Sequence, residues 1–286
     1  MESGKALLRL FGITALTLFT LFIGIFMLRS VTLSHPPPKA EIPGRSKTPF
    51  VFATGDLDQG SPYSSSAYAS TLALQQNVIP TLELRVTRDR EWVIFGTGPL
   101  EQWTDGQGEI EMQNWADLQK LKWKSDKSAD GLLRLQDFLA QHQLPKMLLL
   151  VHNREVAAAA SLVKLLGDRD EPQLTLIHTS NHRLNRELRK QRPQWYFGAD
   201  AVMLTQWQVF AAIGLDPLAP ADFEWLPEGW PELLKHKVTS INDELNRRQI
   251  GRILWLNDSS LTNEQMQDPN LMGILTNRPK AILQML

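Results

Sequence analysis

Apolar and polar positions along this chain fall into three patterns, and each predicts a different element. Residues 10–28 carry no charge and are dominated by Leu, Phe, Ile, Thr and Gly, with Lys5 and Arg9 before them and Arg29 after. That length is close to the roughly 20 apolar residues of a membrane-spanning helix. Residues 81–86 (TLELRV) alternate strictly, which predicts a strand carrying Glu83 and Arg85 on one face. The third pattern is a series of short apolar runs, at 92–95, 147–151, 174–177, 201–204 and 253–256, which read as strands. Helical patterns lie between them at 155–166, 183–191, 207–213, 241–248 and 263–267, with Asn242 and Thr262 as N-caps.

Strand runs alternating with helices are what a parallel barrel requires. The expected fold is α/β: a TIM (β/α)8 barrel preceded by one N-terminal transmembrane helix. About 240 residues are left for the barrel, close to the usual size. Three segments follow: a membrane anchor at 1–30, a proline-rich linker at 31–47 and the barrel at 48–286. The linker's His35-Pro36-Pro37-Pro38 core reads as an extended spacer. A cleaved signal peptide would need a shorter apolar core and a small-x-small site, and Arg29-Ser30-Val31-Thr32-Leu33 has none. The anchor is therefore read as retained, giving a single-pass membrane protein.

Composition narrows the chemistry. With 286 residues, 43% of them apolar, the chain can bury a sizeable core. A net charge of -1 and the lack of a basic, aromatic-interleaved stripe argue against nucleic acid as a partner. With no cysteine, disulfides, thiolate metal sites and thiol nucleophiles are excluded. The nine Trp are read as packing residues. Gly96-Thr97-Gly98-Pro99 lacks the lysine and following helix of a phosphate loop and reads as a turn.

The segment from Thr81 to Gly108 resembles the glycerophosphodiester phosphodiesterase family, whose pattern is a strand with Glu-x-Asp, a turn, a strand ending in Phe-His-Asp, then Leu-x-Arg-x-Thr-x-Gly-x-Gly. Glu83 stands at the family's metal-binding Glu, Phe95 at its Phe, and Thr104, Gly106 and Gly108 within the later part. The reactive positions differ. Arg85 replaces the metal-binding Asp, Gly96 the catalytic His, Thr97 the following Asp, and Gln102 the Arg. Upstream, residues 49–55 (PFVFATG) resemble the first strand, with Thr54 where the family has its other His. Residues 132–139 resemble the helix start before the third metal carboxylate, and 147–153 occupy the strand that should end in Glu-x-Lys but lacks both. Residues 273–279 (GILTNRP) resemble the family's closing motif, so the likeness runs from about 48 to 283.

What the resemblance implies is a phosphoric diester hydrolase acting on glycerophosphodiesters or lipid head groups, with a divalent cation, Ca or Mg, as cofactor where the enzyme is active. Here the replacements point to a degenerate member needing no cofactor. Its candidate pocket residues are Glu83, Arg85, His152 and His178, with Glu83 a metal ligand only if a metal is bound. Three readings stay open. In the first, the enzyme has decayed: Arg85 repels a cation and pairs with Glu83 instead. In the second, the site is rebuilt: Arg85 forks onto a phosphate ester or phospholipid head group, with His152 or His178 as acid or base. In the third, these groups are structural, a barrel-interior ion pair and satisfied histidines. His178 and His182, four apart, are a weaker metal pair, read rather as solvated loop residues. Orientation is pulled two ways. Arg29, Lys39, Arg45 and Lys47 after the span favour a cytoplasmic barrel, while anchored members of the family often act outside it, the side preferred here.

Overall fold

The computed structural model describes residues 2–34, 48–54, 78–124, 131–142, 144–153, 155–167, 174–212, 221–226, 250–256, 261–268 and 270–286. Its ten strands are β1 (Phe50–Ala53), β2 (Val78–Val86), β3 (Trp92–Ile94), β4 (Leu133–Arg134), β5 (Lys146–Val151), β6 (Leu174–His178), β7 (Tyr196–Phe197), β8 (Phe223–Leu226), β9 (Gly251–Leu256) and β10 (Leu271–Thr276). Eight of them pair side by side in the order β7-β6-β5-β2-β1-β10-β9-β8, every pair parallel. The two ends of this path meet, because Gly198 bridges to Phe223 and the Ala199 N–H donates to the Phe223 carbonyl at 2.9 Å. The architecture is an α/β fold with a curled, TIM-like parallel sheet. β3 and β4 form an antiparallel flap off β2.

Strict alternation decides which side chains go where. On β2, Leu82, Leu84 and Val86 join Met147, Leu149, Val151 and Ile177 in one core. That core also takes Leu162 from one helix (Ala158–Leu166) and Leu184 and Leu188 from another (His182–Gln191). The opposite parity forms a second core, with Ile79, Leu148, Leu150, Leu174, Leu176, Phe223, Ile253 and Leu275. Glu83, Arg85, His152 and His178 continue this second parity toward the C-terminal strand ends. A parallel barrel-like sheet places its chemistry there.

Most predicted elements are present, with shifted ends. The run at 201–204 is an exception: it begins a helix, Ala201–Ala212, and the strand lies upstream at Tyr196–Phe197. Asp200 explains the change. Its Oδ1 accepts the backbone N–H groups of Val202 and Met203, each at 3.0 Å, so the chain turns into a helix where apolar character alone suggested a strand. Thr262 caps as expected, in a reciprocal box with Gln265. The predicted helix at 241–248, with Asn242, lies outside the described residues.

The N-terminal run is helical, within Glu2–Ser34. Its large described side chains from Leu10 to Met27 stand exposed, and Thr14, Thr17 and Thr20 donate their hydroxyls to the carbonyls of Leu10, Ile13 and Leu16. Among the described residues no helix is long and apolar enough to cross a membrane. In this helix the described side chains run unbroken only over 10–24, short of the roughly 20 residues needed.

Close packing of β1 on β10 makes one glycine essential. A Cβ on Gly273 would lie 2.3 Å from Phe52 Cε2 and 2.9 Å from the Phe50 carbonyl oxygen. Gly273→Ala is predicted to destabilise the domain by about 1–3 kcal/mol, measured as a lowered thermal midpoint; an unchanged midpoint would refute this packing.

Candidate functional site

Neighbouring strand ends bring Glu83 and His152 together. In the β2–β5 register Glu83 lies opposite Leu150, and the His152 N–H donates to the Leu84 carbonyl at 2.9 Å. The imidazole therefore reaches across, placing His152 Nε2 3.1 Å from Glu83 Oε2. This corrects the expected Glu83–Arg85 ion pair: both residues follow one parity, but they have different partners.

Arg85 reaches past the sheet to the segment after β3. Its Nε donates to Glu111 Oε1 at 2.8 Å, and Nη2 donates to Glu111 Oε2 and Glu109 Oε2, each at 2.5 Å. Nη1 donates to the Gly98 carbonyl at 2.6 Å. The guanidinium is nearly enclosed, at 9% side-chain exposure, with Glu109 and Glu111 half open to solvent. Burial pulls its pKa down, but the hydrogen bonds and charges of Glu111 and Glu109 outweigh that and hold it above 12.5. The fork is used up on protein oxygens, which leaves little of it for a phosphate.

His178 ends β6 with its ring enclosed. Gly198 makes the room, since a Cβ there would lie 2.7 Å from His178 Nδ1. Burial, with the neighbouring His152 charge, pushes the His178 pKa down to about 4, partly opposed by Asp200. His182 opens the helix His182–Gln191 and turns away from His178. Its Nδ1 lies 2.9 Å and 3.2 Å from the two oxygens of Asp200, whose side chain is 0% exposed. The expected solvated His178–His182 pair is thus replaced by a held imidazole. Asn181 caps the same helix on the N–H groups of Arg183 and Leu184, and its Nδ2 donates to the Asn153 carbonyl at 3.2 Å.

At the two positions where the resemblance puts catalytic histidines, Thr54 lies against β10, its N–H donating to the Thr276 carbonyl at 3.1 Å, and Gly96 is buried beside Phe95. Asn257 and Asp258 lie outside the described residues.

A hard divalent cation takes six to eight oxygens, several of them carboxylate. The described carboxylates near the mouth are engaged: Glu83 with His152, Glu109 and Glu111 with Arg85, Asp200 with His182 and a helix N-terminus. Among the described residues no group of three or more His, Asp or Glu is placed to hold a metal ion. These residues do not fit the cation the resemblance implies. The sequence reading missed Glu109, Glu111 and Asp200; the signals available were an acid-x-acid step after the glycine loop and an acid before a helix.

No protein-family model matches the chain, and no curated protein does. Solved structures do. A glycerophosphodiester phosphodiesterase from Agrobacterium tumefaciens aligns at 17% identity over 81% of this chain and 97% of its own, with TM-score 0.58. One from Parabacteroides distasonis aligns at 12% over 82% and 95%, with TM-score 0.59. An Oleispira antarctica phosphodiesterase in complex with the product sn-glycerol-3-phosphate aligns at 15% over 82% and 96%, with TM-score 0.57. The chain has the fold of the glycerophosphodiester phosphodiesterases.

His178 gives the site a pH signature. An unfolded histidine titrates near 6.5 and the folded one near 4, so the folded state binds fewer protons between those values. The stabilisation is complete above about pH 6.5 and is lost as pH falls towards 4. Thermal midpoints should drop across that window, and His178→Gln should flatten the drop; equal slopes in both proteins would refute the assignment.

Proposed function

We propose that this chain is a membrane-anchored, glycerophosphodiester phosphodiesterase-like protein on a complete (β/α)8 barrel, a degenerate member that has given up metal-dependent hydrolysis. Its mouth binds a phosphate ester or phospholipid head group, or a protein partner. The observation that carries this reading is the cage around Arg85: a fixed cation on β2, balanced by Glu109 and Glu111. A divalent ion beside it would meet a like charge and carboxylates already spent. For ligand recognition His152 and His182 each keep a second ring nitrogen beyond the one facing its carboxylate.

Support for the anchor comes from the 33-residue helix Glu2–Ser34, its exposed Leu and Phe side chains, and threonine hydroxyls turned onto their own backbone. The barrel is assigned to the extracytoplasmic side, on the strength of the family likeness. Trypsin added to sealed, right-side-out membranes should digest the barrel; full protection would reverse the orientation.

A second reading, hydrolysis of a phosphoric diester by a rearranged, metal-free site, is favoured by one feature. His152 and His182 each have a ring nitrogen on a carboxylate, an arrangement that orients imidazole for proton transfer. One assay separates the two. The full chain in detergent should release no glycerol phosphate from glycerophosphocholine, whether with CaCl2, MgCl2 or EDTA. Cation-dependent turnover abolished by Glu83→Ala would overturn the first reading, and turnover persisting in EDTA would establish the second.

A further inference from the structure

We propose that Glu109, Glu111 and the Gly98 carbonyl form a latent divalent-cation site that this chain fills with its own guanidinium. This inference rests on the reading that the mouth works without a metal. Four oxygens converge on Arg85: Glu111 Oε1 at 2.8 Å, Glu111 Oε2 and Glu109 Oε2 at 2.5 Å, and the Gly98 carbonyl at 2.6 Å. Two carboxylates and a backbone carbonyl are donors that hard cations select. They also bring two negative charges to one positive, an excess that a divalent ion would cancel exactly where Arg85 cannot.

The cage is held by packing that Arg85 does not supply. Ile110, between the two glutamates, is fully buried in a core with Phe95, Leu100 and Leu118. The 3-10 turn Ile110–Met112 is closed by the Gln113 N–H on the Ile110 carbonyl at 3.0 Å, and the Arg88 N–H ties the segment to the end of β2 through the Gln113 carbonyl at 2.8 Å. The fourth oxygen is equally fixed. Gly98 adopts φ +96°, and a Cβ there would lie 2.3 Å from Gln102 Oε1, so glycine is what lets this carbonyl face the guanidinium. With the carboxylates positioned independently of their cation, exchanging that cation for a carboxylate leaves an acidic oxygen cluster with no counter-ion.

The test is Arg85→Asp in the full chain in detergent, titrated with CaCl2 against EDTA. The wild type should have the same thermal midpoint in both. The variant should melt lower in EDTA and gain roughly 3 °C or more, saturably, with CaCl2, with heat of binding seen by calorimetry. Adding Glu109→Gln and Glu111→Gln should remove that gain. A folded Arg85→Asp indifferent to calcium, or a gain that survives the two Gln substitutions, overturns the proposal. Should Arg85→Asp fail to fold, Arg85→Gln keeps the two glutamates and the carbonyl, and must itself respond to calcium or the proposal falls. A calcium response in the wild type would sink the metal-free reading as well, whereas failure of the variants sinks this inference alone.

Discussion

An enclosed guanidinium has to be balanced, and the arrangement of the mouth depends on how Arg85 is. Leaving such a charge buried without a partner costs about 3–5 kcal/mol. The balance comes from outside the sheet: Glu109 and Glu111 lie on a short helical turn beyond the flap strand β3 and approach the end of β2 from the side. Because the fork also takes the Gly98 carbonyl, three points of the segment from Gly98 to Glu111 are fixed to one side chain. Strand β2 thus orders the segment beside it as well as contributing to the sheet.

That tether releases Glu83. One inward position lower on the same strand, it is free of Arg85 and turns to His152 on β5. The remaining histidines follow the same pairwise logic. His182 takes the buried Asp200, and His178 is kept close to neutrality by enclosure. Each of these contacts joins neighbouring parallel strands or the loops at their C-terminal ends, where the alternation of two apolar cores delivers polar side chains.

Much of this was legible in the residues. Alternation at 81–86 gave the facing of Glu83 and Arg85, and the apolar runs at 147–151, 174–177 and 253–256 are strands within a residue or two at each end. Residues 201–204 misled because β7 is two residues long, too short to show a period, while the helix after it is apolar enough to imitate a strand. The partners of Arg85 were not legible for a different reason. They lie 24 and 26 residues downstream across a glycine-rich loop, and no local pattern reports which way such a loop folds back. The short-range rule that same-face neighbours pair gave Glu83 instead; side-chain reach and the anchoring of Ile110 decided otherwise.

Helix N-termini beside a barrel mouth are ordinary anion sites, yet two of them are closed here. Asn181 takes the free N–H groups of one helix and Asp200 those of the next, so neither offers its dipole to a phosphate. With Arg85 spent and His178 neutral at physiological pH, positive charge for an anionic ligand can come only from His152 and His182 among the groups described at the mouth. Each of those faces a carboxylate that any incoming anion must also approach. On the phosphate-ester reading this charge pattern selects by valence. A diester with a single negative charge meets less repulsion from Glu83 and Asp200 than a monoester with two, so the mouth favours the form with both phosphate esters intact.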